Sequence, residues 1–98
     1  MAQVVPIFNP SNYKYAHQRI KKLWNEGLVE IGVHAQQRMK QRLIDVNDIQ
    51  NVIAYGRITE HKKPMNHWRY TIVGKAVDGE SMKCVVEING SLIIVTVI

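Results

Sequence analysis

The chain has 98 residues, a length that suits one domain, expected over 1–98, and leaves no room for a second hydrophobic core. Apolar residues make up 46% of it, which excludes a disordered protein. Lys and Arg number 13 against 8 Asp and Glu, and the formal charge of +5 favours anionic partners: nucleic acid, an acidic protein or an anionic membrane surface.

Nothing in the sequence predicts export or insertion into a bilayer. The start MAQVVPIF lacks a basic segment and an apolar run of signal-peptide length, and the longest apolar run, LIIVTVI, is too short to span a membrane. We therefore expect a cytoplasmic protein without membrane contact. Cys84 stands alone, so no internal disulfide is available, and the alternation around it favours a strand residue over a nucleophile.

The first half of the chain predicts helices. A first helix over about 11–26 begins at Ser11 or Asn12 as cap and ends at Gly27. The segment LVEIGVH suits a short strand or an extended lead-in to the next helix. Two consecutive helices follow, over about 35–43 and 46–55, with Asp45 as the cap of the second.

The second half predicts strands. VDGE and INGS each place Gly after Asp or Asn between β-rich runs, which predicts two hairpins joining strands over about 67–77, 81–88 and 91–98. The segment RITEH predicts one additional strand. We expect an α+β domain with two or three helices on one face of a twisted antiparallel sheet of three to five strands. The strand LIIVTVI is apolar on both faces, so a strand from QVVPIF, a helix or a second subunit should cover it.

The hairpin turns determine which side chains share a face of the sheet. If Asp-Gly and Asn-Gly are two-residue loops, Tyr70 lies opposite Glu87 and Lys83 opposite Thr96. One face is then a core. Its members are Thr71, Val73, Met82, Cys84, Val86, Ile88, Ile93, Val95 and Val97. The other face is mixed, which suits a ligand groove, a subunit interface or an ordinary outer face. Its members are Trp68, Tyr70, Ile72, Lys83, Val85, Glu87, Leu92, Ile94 and Thr96. A three-residue loop would change both sets.

Two segments carry side chains suited to anions. His34, Arg38 and Arg42 recur every four residues, which places them in one stripe along a helix. Arginine forks grip phosphate and histidine exchanges a proton near neutral pH, although a solvated helix side has the same pattern. NHWRY, residues 66–70, interleaves rings with a cation, as nucleic-acid sites do, but also suits a core strand. No metal-site spacing is present, and we expect no metal.

A resemblance to a known family rests on three segments: HAQQRMKQRLIDVNDI, WRYTIVGKAVDGE and LIIVTVI. In these the chain resembles a small bacterial family catalogued as domain of unknown function 4258. That family's signature is His-Ala-x-x-Arg-Met-x-x-Arg, an Asp-capped helix, a Tyr-bearing hairpin and a strand around Ile-x-Thr-Val. The match covers about residues 31–98 and leaves the first helix outside. Leu43 departs from the pattern, because members often carry Gly there.

The family is similar in turn to RelE-type and motility-quorum-sensing-regulator-type toxins, small basic α+β ribonucleases that an antitoxin neutralises. The resemblance implies a RelE-like fold and the toxin of a type II toxin–antitoxin pair, which cleaves mRNA, free or on the ribosome, without metal or cofactor. Such cleavage needs a base for the 2′-hydroxyl, cations on the phosphate and an acid for the leaving oxygen. The implied catalytic residues are His34, Arg38, Tyr70 and Glu87. The implied substrate-binding residues are Arg42, Trp68, Arg69, Lys83 and Thr96.

Two other interpretations remain open. The same basic helix and aromatic segment could bind RNA, DNA or an acidic protein without cleaving anything, and that binding would weaken steeply with salt. Alternatively, the mixed sheet face is a homodimer interface, and the chain is an interaction subunit.

Overall fold

Three helices and five strands make up residues 12–98, the part of the chain that the computed structural model describes. In chain order they are α1 (Tyr13–Asn25), β1 (Val29–Ile31), α2 (Val33–Arg42), α3 (Val46–Tyr55), β2 (Arg57–Lys62), β3 (Arg69–Lys75), β4 (Ser81–Asn89) and β5 (Ser91–Val97). The expected α+β architecture is confirmed. No helix within these residues is long and apolar enough to cross a membrane.

The helix ends follow from local hydrogen bonding. The Asn12 side chain accepts from the N–H of Tyr15 and begins α1, while Gly27, with φ of 74°, ends it in a left-handed turn. Asp45 and Asp48 cap α3 reciprocally, each side chain accepting from the other's N–H. α2 differs, because it begins at Gly32 with no side-chain cap and ends at Leu43 in the left-handed region. Its first N–H groups are therefore not capped by a side chain.

The strands form one sheet in the order β1-β5-β4-β3-β2. β1 pairs parallel with β5, and every other pair is antiparallel, so the sheet is mixed. The apolar strand β5 lies between β1 and β4. Its residues 92–94 are therefore paired with a neighbouring strand on both sides. Its neighbour comes from LVEIGVH; the alternative strand from QVVPIF lies outside the described residues.

The predicted strand register was wrong by one residue at the first hairpin. Val77, Asp78 and Gly79 form a three-residue loop, because Ala76 pairs with Glu80 and Gly79 takes a φ of 92°. The Asp78 side chain accepts from the N–H of Glu80 at 2.9 Å and stabilises this turn. In consequence Arg69, not Tyr70, lies opposite Glu87.

The second hairpin also differs from the prediction. Asn89 pairs with Ser91 around Gly90, and a bulge at Val95 shifts the strands by one further residue. Lys83 therefore exchanges backbone hydrogen bonds with Ile98, and Thr96 lies opposite Val85. Glu87 lies opposite Ile93 instead of Leu92.

Within residues 12–98, these registers give the sheet one face that helices cover and one face that no helix covers, which we call the open face. The covered face packs against α1 and α3 and holds the core. Its fully buried strand residues are Tyr70, Ile72, Cys84, Val86, Leu92, Ile94 and Val97. Of the expected core, Thr71, Val73 and Ile93 lie instead on the open face. Conversely Tyr70, Ile72, Leu92 and Ile94 were expected on the mixed face and belong to the core. The faces of the β4 residues were predicted correctly.

Candidate nucleic-acid interface on the open face of the sheet

Helix α2 lies beside β5, where it continues the line of β1. The N–H of Gly32 donates to the Ile94 carbonyl at 2.9 Å, and α2 then packs along β5 towards the β3–β4 turn. Ala35, fully buried, marks the side of α2 that faces the strand. The helix therefore covers the sheet edge that β1 leaves exposed.

Two residues of the stripe predicted on α2, His34 and Arg38, border the open face. On one flank of α2, Met39 lines a hollow with Ile31, whose side chain lies on the helix-covered face. His34 and Arg38 lie about 140° and 100° around the helix axis from Met39, on the far side of Ala35. His34 is exposed and Arg38 is half-buried. Both therefore lie on the flank next to the open face.

The open face carries more cations than carboxylates. Its cationic members are Arg57, Lys62, Arg69, Lys75 and Lys83, and its acidic members are Glu30, Glu60 and Glu87. Five cations against three carboxylates leave an excess of two positive charges. Such a face attracts phosphate.

Three of these cations and Arg38 of α2 form a row that we call the basic band. The three are Lys83 on β4, Lys75 on β3 and Arg57 on β2. They occupy the end of the sheet nearest the β3–β4 turn. Since neighbouring strands are about 4.8 Å apart, Arg57 and Lys83 are about 10 Å apart across β3. The band thus crosses the sheet from α2 to β2.

The ion pair between Arg69 and Glu87 lies on the same face, farther from the β3–β4 turn. Nε of Arg69 donates to Oε1 of Glu87 at 2.9 Å across the β3–β4 pair. The Glu87 side chain is 12% exposed and that of Arg69 is 35% exposed. The carboxylate is thus the covered partner and the guanidinium the accessible one.

Thr96 adds an unsatisfied polar group to the open face. Its Oγ1 is buried and has no hydrogen-bond partner. Thr96 follows the bulge at Val95. The bulge lies close to Gly32, which connects β1 to the uncapped start of α2. A ligand oxygen beside Gly32 would find the first N–H groups of α2 and the positive end of the helix dipole, but it would not reach the buried Thr96 hydroxyl.

Three residues predicted for the site lie elsewhere. Tyr70 is fully buried on the helix-covered face, and burial raises the pKa of its hydroxyl to about 12. Trp68 packs against that same core, where its ring contacts His61. Arg42 lines a hollow at the β3–β4 turn with three carboxylates, those of Asp48, Asp78 and Glu80. The expected grouping of Tyr70 with Glu87, Lys83 and Thr96 was wrong, because the register slip reversed the faces of β3.

Three cations of the open face were not predicted from the sequence. Arg57, Lys62 and Lys75 occupy alternate positions of β2 and β3, and the strand register is the signal that would have identified them. For metal ions, residues 12–98 contain no group of three or more His, Cys, Asp or Glu side chains suited to coordinate one.

Comparison with known proteins agrees with the family seen in the sequence. The profile of a family described as "Domain of unknown function (DUF4258)" matches residues 31–98, which include α2, α3, the strands β2 to β5 and the last residue of β1. No curated protein and no solved structure matches the chain. The match covers more than half of the chain, and the chain therefore belongs to the DUF4258 family.

Proposed function

We propose that the chain binds RNA across the open face of its sheet and cleaves it as a metal-independent endoribonuclease, the toxin of a type II toxin–antitoxin pair. The observation that carries the proposal is the basic band, which leads from β2 to the flank of α2 that holds Arg38 and His34. The band supplies the cations for an RNA backbone, and the α2 flank supplies an exposed group for proton transfer.

The binding part follows from the composition of the open face. Between its cations lie half-buried Val73, Val85 and Ile93, which suit the flat faces of unpaired bases. Cations at the rim and apolar surface in the middle would hold phosphates and bases at once. The same charge suits an acidic antitoxin, which would bind over this face and exclude RNA.

The cleavage part assigns His34 to the scissile phosphodiester. His34 takes the proton of the 2′-hydroxyl, whose oxygen attacks the phosphorus, and the bond to the 5′-oxygen breaks. The products are a 2′,3′-cyclic phosphate and a 5′-hydroxyl end, which takes a proton from solvent or Lys83. Arg38 and the uncapped N–H groups at the start of α2 stabilise the charge that develops on the phosphate oxygens.

A binding module without nuclease activity is the second candidate. It is favoured by the state of the other two proton-transfer residues implied by the resemblance: Tyr70 is buried on the opposite face, and Glu87 is engaged with Arg69. Only His34 of that predicted set is exposed. Cleavage by this site would therefore depend on His34 more heavily than cleavage by a site with both an acid and a base depends on either residue.

Induced expression in a bacterial host tests the proposal, with growth and the 5′ ends of cellular mRNA followed together. The variants are His34→Ala and Arg38→Ala, and the control is Gln37→Ala, an exposed position on the same helix. We expect growth arrest and new mRNA ends from the wild type and the control, and neither from the other two. New ends that persist in His34→Ala contradict the assignment, and intact mRNA together with RNA binding by the wild-type protein identifies the binding module.

A further inference from the structure

We propose that Glu87 is a positioning residue: it holds the Arg69 guanidinium so that the two terminal nitrogens face a phosphate of the bound RNA. The inference rests on the proposed RNA-binding function. It gives Glu87 a task different from the proton transfer that the family resemblance implies.

The hydrogen bond between the two side chains carries the inference. Glu87 accepts from Nε of Arg69, the inner nitrogen of the guanidinium. That bond fixes the plane of the group and leaves the four N–H bonds of the terminal nitrogens for another acceptor. One N–H bond from each terminal nitrogen can then form the fork that binds two oxygens of a phosphate.

Burial assigns the two partners different tasks. Glu87 is 12% exposed and lies between Arg69 on β3 and the apolar Ile93 on β5. A carboxylate in that position, already bound to a cation, is poorly placed to reach a ribose hydroxyl. Arg69 is more exposed and has Lys62 as its neighbour on β2, so the accessible end of the pair is cationic.

The sign of one mutational effect separates positioning from simple electrostatics. Removing a carboxylate from an anion-binding face strengthens binding if its charge is all that matters. Removing the group that orients Arg69 weakens binding, although the face becomes more positive. For Glu87→Ala we expect a loss of affinity of about threefold to tenfold, the size of the net contribution of one hydrogen bond.

Two variants complete the comparison. Glu87→Gln keeps an oxygen that accepts from Nε, so its affinity and cleavage should stay within about twofold of the wild type. Glu60→Ala is the matched control, because Glu60 is exposed on the same face, opposite Thr71, and no hydrogen bond ties it to Arg69. This control should strengthen binding.

The experiment measures fluorescence anisotropy of a 2′-O-methyl RNA of about 12 nucleotides, which the protein can bind but not cleave through a 2′-hydroxyl. Cleavage of the matching 2′-hydroxyl RNA is followed separately, and urea unfolding of each variant confirms that it folds. Arg69→Lys, which keeps the charge but loses Nε, should weaken binding as Glu87→Ala does.

The possible results separate the two proposals. If Glu87→Ala strengthens binding as Glu60→Ala does, positioning is overturned. If Glu87→Gln binds normally but does not cleave, Glu87 is a proton-transfer residue instead. A wild type that binds but never cleaves removes the nuclease while the affinity comparison still decides the task of Glu87. A wild type that does not bind the probe overturns both.

Discussion

At the scale of single residues, Tyr13 and Tyr70 carry the same hydroxyl in opposite circumstances. Tyr13 Oη forms a hydrogen bond with Nδ1 of His61 at 2.8 Å, at the partly exposed contact between α1 and β2. Tyr70 is fully buried beneath the helices, and its hydroxyl has no hydrogen-bond partner. A buried polar group without a partner costs about 1–3 kcal/mol. The buried ring of Tyr70 therefore stabilises the folded protein, whereas its unpaired hydroxyl destabilises it.

Tyr70→Phe should raise the free energy of unfolding by about 1 kcal/mol, because it removes the unpaired hydroxyl and keeps the ring. RNA binding should not change, since Tyr70 is not on the open face. Urea unfolding and anisotropy measure the two quantities. The control is Tyr13→Phe, which removes a hydrogen bond and should lower the free energy of unfolding by about 1 kcal/mol. A Tyr70→Phe protein that is equally stable but fails to bind or cleave RNA would restore the catalytic assignment.

Leu43 shows a second conflict between residue type and position. It ends α2 with φ of 54° and ψ of 43°, and the residue is 92% exposed. The left-handed region is costly for any residue with a Cβ atom and is where helices usually place glycine. Leu43 is also the position at which the sequence departs from the family pattern that the resemblance implies, so that departure coincides with the strained residue.

Leu43→Gly should raise the stability of the protein by about 0.5–1 kcal/mol, the strain relieved less the extra entropy of glycine in the unfolded chain. Thermal unfolding followed by circular dichroism measures it. Leu43→Ala is the matched control. It also removes most of the exposed side chain but keeps Cβ, and its stability should equal that of the wild type. Equal gains for both variants would attribute the effect to the exposed leucine side chain and not to the backbone.

At the scale of elements, Asp48 ties α3 to the β3–β4 turn. Its side chain accepts from the N–H of Asp45 within the capping box and from the N–H of Val77 at 2.9 Å in the turn. These backbone hydrogen bonds, that of Asp45 first and that of Val77 second, hold the pKa of the Asp48 carboxyl below its usual value of 3.8. One carboxylate thus stabilises a helix start and the loop that sets the register of the sheet.

The pH dependence of stability should reflect that carboxylate. Because the folded-state pKa of Asp48 is lower than the unfolded one, its contribution is fully present above pH 3.8 and is lost as the pH falls through the folded value. Asp48→Asn should therefore be less stable than the wild type by about 1 kcal/mol at neutral pH, with the difference shrinking below about pH 4. Urea unfolding between pH 2.5 and 7, approximately, measures this. A difference independent of pH would contradict the assignment to the ionised form.

The elements themselves were predictable, and their register was not. Asp45 and Gly27 marked helix ends, and the residues of α3 match the prediction, because caps and helical periodicity are local signals. Asp78-Gly79, in contrast, is compatible with a two-residue and a three-residue loop. The longer loop is stabilised by the hydrogen bonds that the Asp78 and Asp48 side chains accept from backbone N–H groups of Glu80 and Val77. That one residue exchanged Arg69 and Tyr70 between the faces.

At the scale of the whole molecule, the sheet separates core chemistry from surface chemistry. α1 and α3 cover one face, and the other carries the cations and the Arg69–Glu87 pair. His34 and Arg38 were predicted for the site from their helical spacing, and they do lie on one flank of α2. The sequence could not show that this flank borders the open face. The position of the flank depends on the parallel pairing of β1 with β5, two strands that are far apart in the chain.

Salt dependence should report which side of the molecule binds RNA. Removing one cation that binds a phosphate should reduce the slope of log K against log salt by about 0.7 for single-stranded RNA. Arg57→Ala with Lys83→Ala should therefore reduce the slope by about 1.4. The control, Lys14→Ala with Lys22→Ala, removes the same charge from α1 on the opposite side of the sheet and should leave the slope nearly unchanged. Equal reductions in the two double variants would indicate binding by net charge alone.

The parallel pairing of β1 with β5 has a consequence for the order in which the protein is made. Residues 29–42 leave the ribosome long before residues 91–97, which they need as a neighbour. Until β5 emerges, β1 has no strand to pair with, Ala35 has no core to enter, and Thr96 does not yet stand beside the start of α2. Any activity that depends on this junction therefore begins only after β5 has left the ribosome.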